Sequence, residues 1–288
     1  MSQSASILPK VRGCAIPVRS TPLRKPEAAM PVILQQRLPH TPWMDPRTAR
    51  LPGVLPVEGD TWLSMDDAFA AQMALRDRLI ADIPQTVLGQ LPEGLAASQE
   101  LYDLVLARLA VTAGYTLAAT TATRPDGARI ALDRDQPLRT LGRLVQEDLC
   151  LMQRREDEHV LTGACLCFPS SWSLSEKLGR PLTGIHRTVR VYEDDLARRV
   201  QRLFDVIRPE QPLWRMNALV YANPELHQPG YESAPRTDRL NGEFVRAERQ
   251  TLLRLPASGA VLFAIHTYVV RLDSLTEAER AGLETARL

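Results

Sequence analysis

Long apolar runs are missing from this chain. The longest, Ala260 to Ile265, falls far short of the roughly 18 to 20 residues that carry a helix across a bilayer, which excludes a transmembrane helix. The N-terminus holds Lys10, Arg12, Arg19, Arg24 and Lys25 but no uninterrupted apolar stretch. A secretory signal is therefore not expected, and a cytoplasmic location is the default. Excess charge is missing too, since 35 Lys and Arg against 34 Asp and Glu leave a formal net charge of +1. Such a chain has no global field to gather a polyanion, and it lacks basic runs interleaved with aromatics, so nucleic acid is not an expected partner. Cysteine is sparse: Cys14, Cys150, Cys165 and Cys167 form no CxxC pair. Cys165 and Cys167 lie two apart in a segment that reads as strand and point the same way, but no two further ligands complete a zinc site. Buried reduced thiols are the expectation. Gly-rich phosphate loops of the dinucleotide or P-loop type are also absent.

What is present is an ordinary globular composition, 44% hydrophobic and 24% charged over 288 residues, enough to build one sizeable core. Residues 1–50 are rich in Pro, Ser and Arg without a sustained period and read as an extended or partly disordered arm; residues 51–288 read as a single domain. Met30, followed by the more apolar Pro31 to Leu34, is a second possible start. A capping-box-like Ser64-Met65-Asp66-Asp67 predicts a helix carrying Met65, Phe69, Met73, Leu79, Ile80 and Ile83 on one stripe. A second helix is predicted over Ala96 to Val111. Beyond Gly127 the pattern changes. Val160 to Phe168 reads as strand, Ser173-Leu174-Ser175-Glu176 as a capped turn, and Asp194 to Ile207 as helix. Leu213 to Ala222, Glu243 to Leu255 and Ala260 to Leu272 read as strands, the last two joined by a hairpin turn at Pro256-Ala257-Ser258-Gly259. Helices first, then strands with helices inserted, argue for an antiparallel α+β fold rather than a doubly wound one.

Three patches carry candidate chemistry. His186 follows a capped turn and a Gly and Pro break at the expected entrance to a strand; neutral imidazole there suits a metal such as iron, and a solvated loop histidine is the ordinary alternative. His159 and His227 fall in polar stretches and are expected to be exposed. Arg215 and Asn217 alternate along a predicted strand and share a face with Leu213 and Leu219. The guanidinium there either pairs with an anionic group or covers a sheet edge with its stem. On the next strand Arg246, Glu248, Gln250 and Leu252 share one face. A carboxylate held among arginines suits an amine cation or proton handling; a solvated charged face is the alternative. His266, in the apolar run Val261 to Val270, is expected to be buried and hydrogen-bonded.

Taken in order, Trp62 with Asp66-Asp67, Arg76-Asp77-Arg78-Leu79, Ser98 to Leu101, Gln146-Glu147-Asp148, Phe168 to Trp172, Glu176-Lys177, Gly179, Ile185-His186, Arg215 with Asn217, Glu248 to Leu252 and Arg254-Leu255-Pro256 resemble the heme-binding subunit of heme-dependent oxidative N-demethylases over Leu51 to Leu272. The resemblance implies a PAS-like α+β fold enclosing heme b. It also implies oxidative removal of a methyl group from a small secondary amine such as dimethylamine, with O2 and electrons from a separate flavin and iron-sulfur reductase, releasing formaldehyde. In that reading His186 is the iron ligand, Arg215 a pocket arginine near the oxygen side and Glu248 a pocket carboxylate. A non-catalytic heme-binding or sensory PAS-like module is the other reading. The chain departs from the family pattern at Arg187-Thr188-Val189-Arg190, at Ala218 and at His266, which offers a second conceivable heme contact.

Overall fold

The structure is a computed structural model that describes residues 32–49, 52–186, 194–231 and 242–286; residues 1–31 of the expected arm lie outside the described residues. In chain order come β1 (Leu55–Pro56), α1 (Phe69–Asp82), α2 (Pro84–Val87), β2 (Leu88–Gln90), α3 (Leu95–Leu109), β3 (Thr116–Leu117), β4 (Thr121–Thr123), β5 (Arg129–Ala131) and α4 (Pro137–Gly142). The second half holds β6 (Asp148–Arg155), β7 (Glu158–Cys165), α5 (Leu174–Lys177), α6 (Leu182–His186), α7 (Asp194–Val206), β8 (Leu213–Tyr221), β9 (Phe244–Arg254), β10 (Val261–Arg271) and α8 (Glu277–Ala286). Seven strands form one sheet in the order β1-β8-β9-β10-β6-β7-β2, and β3, β4 and β5 form a small second sheet. Every pairing in both is antiparallel, so the α+β expectation holds.

Each face of the large sheet buries its own apolar set, because side chains alternate along a strand. On one face Cys150, Met152, Leu161, Leu252 and Val261 meet Leu174, Leu182, Phe204 and Ile207 of the α5–α7 segment. On the other, Met216, Ala218, Val245, Ala247, Tyr268 and Val270 meet Trp43 and, from the C-terminal helix region, Leu275 and Leu283. Further along that second face, α4 lies against β7, where any side chain at Gly142 would run into the Cys165 sulfur. Ile33, Gln35, Trp43 and Thr48 are buried, and the Gln35 side chain bonds Val269 N–H at 2.7 Å. The folded unit thus starts at Val32, ahead of the boundary that the proline content suggests.

The first helix starts later than its capping box predicts. Helix α1 begins at Phe69 without a side-chain cap, Met65 is exposed, and the Ser64 N–H donates to Glu147 Oε1 at 2.6 Å. A distant carboxylate has taken over the group that a local cap would have used. Its stripe of Phe69, Met73, Leu79 and Ile80 is buried as expected. So is Arg76, which pairs with Asp148 at 2.7 Å with neither side chain exposed. Asp148 also accepts from the Cys167 and Phe168 N–H groups at 2.7 and 2.8 Å, so the buried charge pair is bonded on both sides. Cys150, Cys165 and Cys167 are buried free thiols. The predicted hairpin turn is present: Leu255 N–H donates to Ala260 O at 2.8 Å, and Gly259 takes φ +68°, a left-handed conformation in which a Cβ is strained.

Candidate functional site

Strands β8, β9 and β10 present one polar patch to the α5–α7 face. Arg215 pairs with Gln250, Asn217 with Glu248 and Thr267 with Glu248 in the sheet register, so all five side chains emerge on the same side. Glu248 Oε2 accepts from the Asn217 and Gln250 amides at 3.3 and 3.2 Å, and its Oε1 lies 3.5 Å from Arg246 Nε. Arg246 is buried and donates to the carbonyls of Phe168 and Leu226 at 2.7 and 3.1 Å. Arg215 donates from one terminal nitrogen to Gln250 Oε1 at 2.9 Å. Burial works against its charge, and Glu248 opposes that effect.

The expected site residues His186, Arg215 and Glu248 thus come to one side of the sheet, although His186 stands at the C-terminal end of the short helix α6 rather than at the start of a strand. Its Nδ1 is 2.9 Å from Leu182 O. Burial holds its pKa below the ordinary value, the bond to Leu182 pulls the other way, and the charges of Lys177 and Arg215 add to the lowering. The result is a neutral imidazole with one ring nitrogen tied to a carbonyl, which is how metal-bound histidines are usually oriented.

His266 lies on the opposite face, one residue out of phase with Thr267. It is buried as expected, and both ring nitrogens are taken: Nδ1 is 3.1 Å from Glu147 Oε1 and Nε2 is 3.0 Å from Asp66 Oδ2. Burial pulls its pKa down, but the two carboxylates outweigh it and hold the pKa up to about 9. Asp66 is held below the usual carboxylate range; burial opposes this, and His266, Gln146 and Gln35 prevail. His186 and His266 therefore occupy different layers and do not converge on one point. The other two expectations also change. His159 is buried on β7 against the Phe204 ring, with Gln201 at 2.9 Å from its Nδ1, and His227 is half-buried with Nδ1 2.8 Å from Cys167 O.

Residues 53–287 match the model of a family described as haem-dependent oxidative N-demethylase, alpha subunit-like. The chain belongs to that family. Membership brings heme dependence, oxidative N-demethylation and, from the alpha-subunit designation, a place in an assembly with other subunits. Family members need residues that can hold an amphipathic macrocycle with an anionic edge, and the α5–α7 face offers them. Arg215 Nε, Arg246 Nε and Thr267 Oγ1 are buried there without hydrogen-bond partners among the described residues. An unsatisfied buried donor costs about 1–3 kcal/mol, so Arg215 Nε and Thr267 Oγ1, with Arg246 Nε held only by its 3.5 Å contact to Glu248, mark a place suited to a further acceptor. Beside them Trp172, Ile185, Leu213 and Phe263 supply apolar wall. The donor set fits a heme. Sequence reasoning did not find Thr267, Asp66 or Glu147; Asp66 and Glu147 join His266 across separations of 200 and 119 residues, which no local spacing reports.

Proposed function

We propose that this chain is the heme b-binding oxygenase subunit of an enzyme that demethylates a small secondary amine of the dimethylamine type. Two electrons from a separate flavin and iron-sulfur reductase, two protons and O2 convert the amine to its demethylated product, formaldehyde and water. The observation that supports this best is the placing of His186, Arg215 and Glu248 on one side of the sheet alongside Arg215 Nε and Thr267 Oγ1, buried without hydrogen-bond partners among the described residues. The strand order also favours a PAS-like reading: β7-β6-β10-β9-β8 places the first two and last three long strands as a 2-1-5-4-3 sheet with helices inserted between the second and third. The lack of a helix long and apolar enough to cross a membrane among the described residues is compatible with a cytoplasmic enzyme.

In this reading His186 would hold the heme iron, with Leu182 O fixing the ring, and the heme would supply dioxygen chemistry when bound. Arg215, whose Nε has no hydrogen-bond partner among the described residues, would serve as a fixed cation toward the bound group. Glu248 binds the substrate. A small dialkylamine is an ammonium ion at neutral pH, and the carboxylate, with Oε2 anchored by two amides and Oε1 beside Arg246, can accept an N–H from that cation and later take up its proton.

A visible absorption spectrum of protein produced with a heme precursor, taken beside His186→Ala before and after dithionite, tests the reading. The wild type should show a Soret band that weakens or shifts in the variant, and the loaded protein with reductase should release formaldehyde in proportion to dimethylamine. A band without amine-dependent formaldehyde would leave the sensory module; no band in either protein would remove the heme assignment.

A further inference from the structure

The face opposite His186 contains a cavity of about 480 Å³. Its floor is built by alternation on three strands: Trp214 and Met216 from β8, Arg249 from β9 and Tyr268 from β10. The Arg249 guanidinium lies 5.4 Å from the centroid of the Trp214 ring and donates only to the neutral hydroxyls of Ser64 and Thr251, at 3.3 and 3.2 Å. No carboxylate among the described residues comes within ion-pair distance of it, whereas the buried Arg76 and Arg246 each have one. The charge of Glu147 reaches it from below without an ion-pair contact; Glu147 Oε1 is engaged by His266 and the Ser64 N–H, and its Oε2 has no hydrogen-bond partner among the described residues. On the rim, Arg47 is exposed and paired with Asp45 at 2.8 Å, Glu58 brings one negative charge, and burial keeps His40 below its ordinary pKa and so neutral.

A half-buried guanidinium stacked on an indole and left without a counterion is costly unless an anion joins it. The volume falls in the range of small-molecule sites, roughly 300–1,000 Å³. We propose that this cavity binds an organic anion with a flat apolar body, an aromatic or conjugated carboxylate, whose charge meets Arg249 and whose body lies against Trp214 and Tyr268. A cation would face Arg249, which has no carboxylate within ion-pair distance among the described residues, whereas Arg47 is already paired with Asp45. A neutral apolar molecule would leave the guanidinium unpaired, and inorganic phosphate would leave the aromatic floor unused. Because the cavity and His186 lie on opposite faces of the sheet, the inference stands apart from the heme assignment and is tested without turnover.

The experiment is isothermal titration of the full-length protein with 2-naphthoate, with its neutral analogue 2-naphthalenemethanol and with the cationic 2-naphthylmethylamine. Naphthoate should bind at one site and more tightly than either analogue. Arg249→Gln should weaken it at least ~10-fold, about 1.4 kcal/mol, while leaving the alcohol unchanged. Arg249→Lys keeps the stem and charge but loses the fork, and should fall between the two; if the Gln variant loses its circular-dichroism signal, the Lys variant carries the comparison. Equal or tighter binding of the amine, naphthoate affinity indifferent to both variants, or no binding at millimolar naphthoate would overturn the proposal.

Discussion

The two faces of the central sheet treat polar groups in opposite ways. On the face of His266, a charged imidazole is enclosed by two carboxylates that are themselves bonded: Asp66 accepts from Gln35 and Gln146 at 2.8 Å each, and Glu147 from the Ser64 N–H. That network ties residues 35, 66, 146, 147 and 266 into one piece and uses its histidine as a structural cation. On the face of His186, the imidazole is held neutral, and Arg215 Nε and Thr267 Oγ1 are buried without hydrogen-bond partners among the described residues, as is Glu147 Oε2 on the other face. The same residue type is a cation where both ring nitrogens meet carboxylates and neutral where burial and nearby cations surround it.

Substitutions on each face should separate the two roles. The largest effect is expected at His186: in the Ala variant the Soret band should weaken or shift and amine-dependent formaldehyde release should be lost, yet the variant should unfold in urea within about 1 kcal/mol of wild type, as a half-buried helix-end residue should. A loss of several kcal/mol there would make His186 a structural residue as well. His266→Ala should do the reverse, costing roughly 3–5 kcal/mol in urea unfolding because it strands two buried carboxylates, while the heme spectrum of the folded fraction stays unchanged.

The pH dependence of stability should follow His266. Its folded pKa, about 9, lies above the unfolded value near 6.5, so its contribution is fully present below pH 6.5 and is lost as pH rises through about 9. From the difference of roughly 2.5 units the loss is about 3 kcal/mol. Unfolding free energies measured from pH 6 to 10 should show that fall in the wild type and a flatter curve in His266→Ala; parallel curves would mean that the imidazolium is not what the carboxylates stabilise. The smallest effect is expected for Glu248→Gln, which should lower kcat/KM for the amine by roughly 10- to 30-fold, a cost of about 1.4 to 2 kcal/mol, with little change in stability because the amide can keep the bonds from Asn217 and Gln250. A stability loss larger than the kinetic one would return Glu248 to the role of a sheet-building residue.

The strands that carry the site were legible because β8, β9 and β10 are long and bounded by turn residues, with β10 rich in β-branched residues, and their alternation correctly assigned Arg215, Glu248 and Gln250 to faces. Strand β6 was not legible. Asp148 through Met152 is buried without interruption, so the strand shows no period of two. The Ser64 box misled because its local rule competes with bonds from Gln146 and Glu147, more than eighty residues away. His159 looked exposed beside Glu156, Asp157 and Glu158, yet Phe204 of α7 folds over it. What remained hidden was long-range: the family pattern includes Asp66 and Glu147 and departs at His266, and only folding made the three one network.

Strand β9 places Glu248 on one face and Arg249 on the other, so a single backbone step separates the proposed amine site from the proposed anion site. Sliding that strand by one position against β8 and β10 would send the carboxylate into the cavity and the guanidinium toward His186. What fixes the frame is the turn after Leu255, where Glu100 of α3 accepts from the N–H groups of Ala257 and Ser258 at 2.6 and 2.8 Å. A one-residue deletion there would not merely loosen a surface loop; it would exchange the chemistry of the two layers, and both sites would fail together.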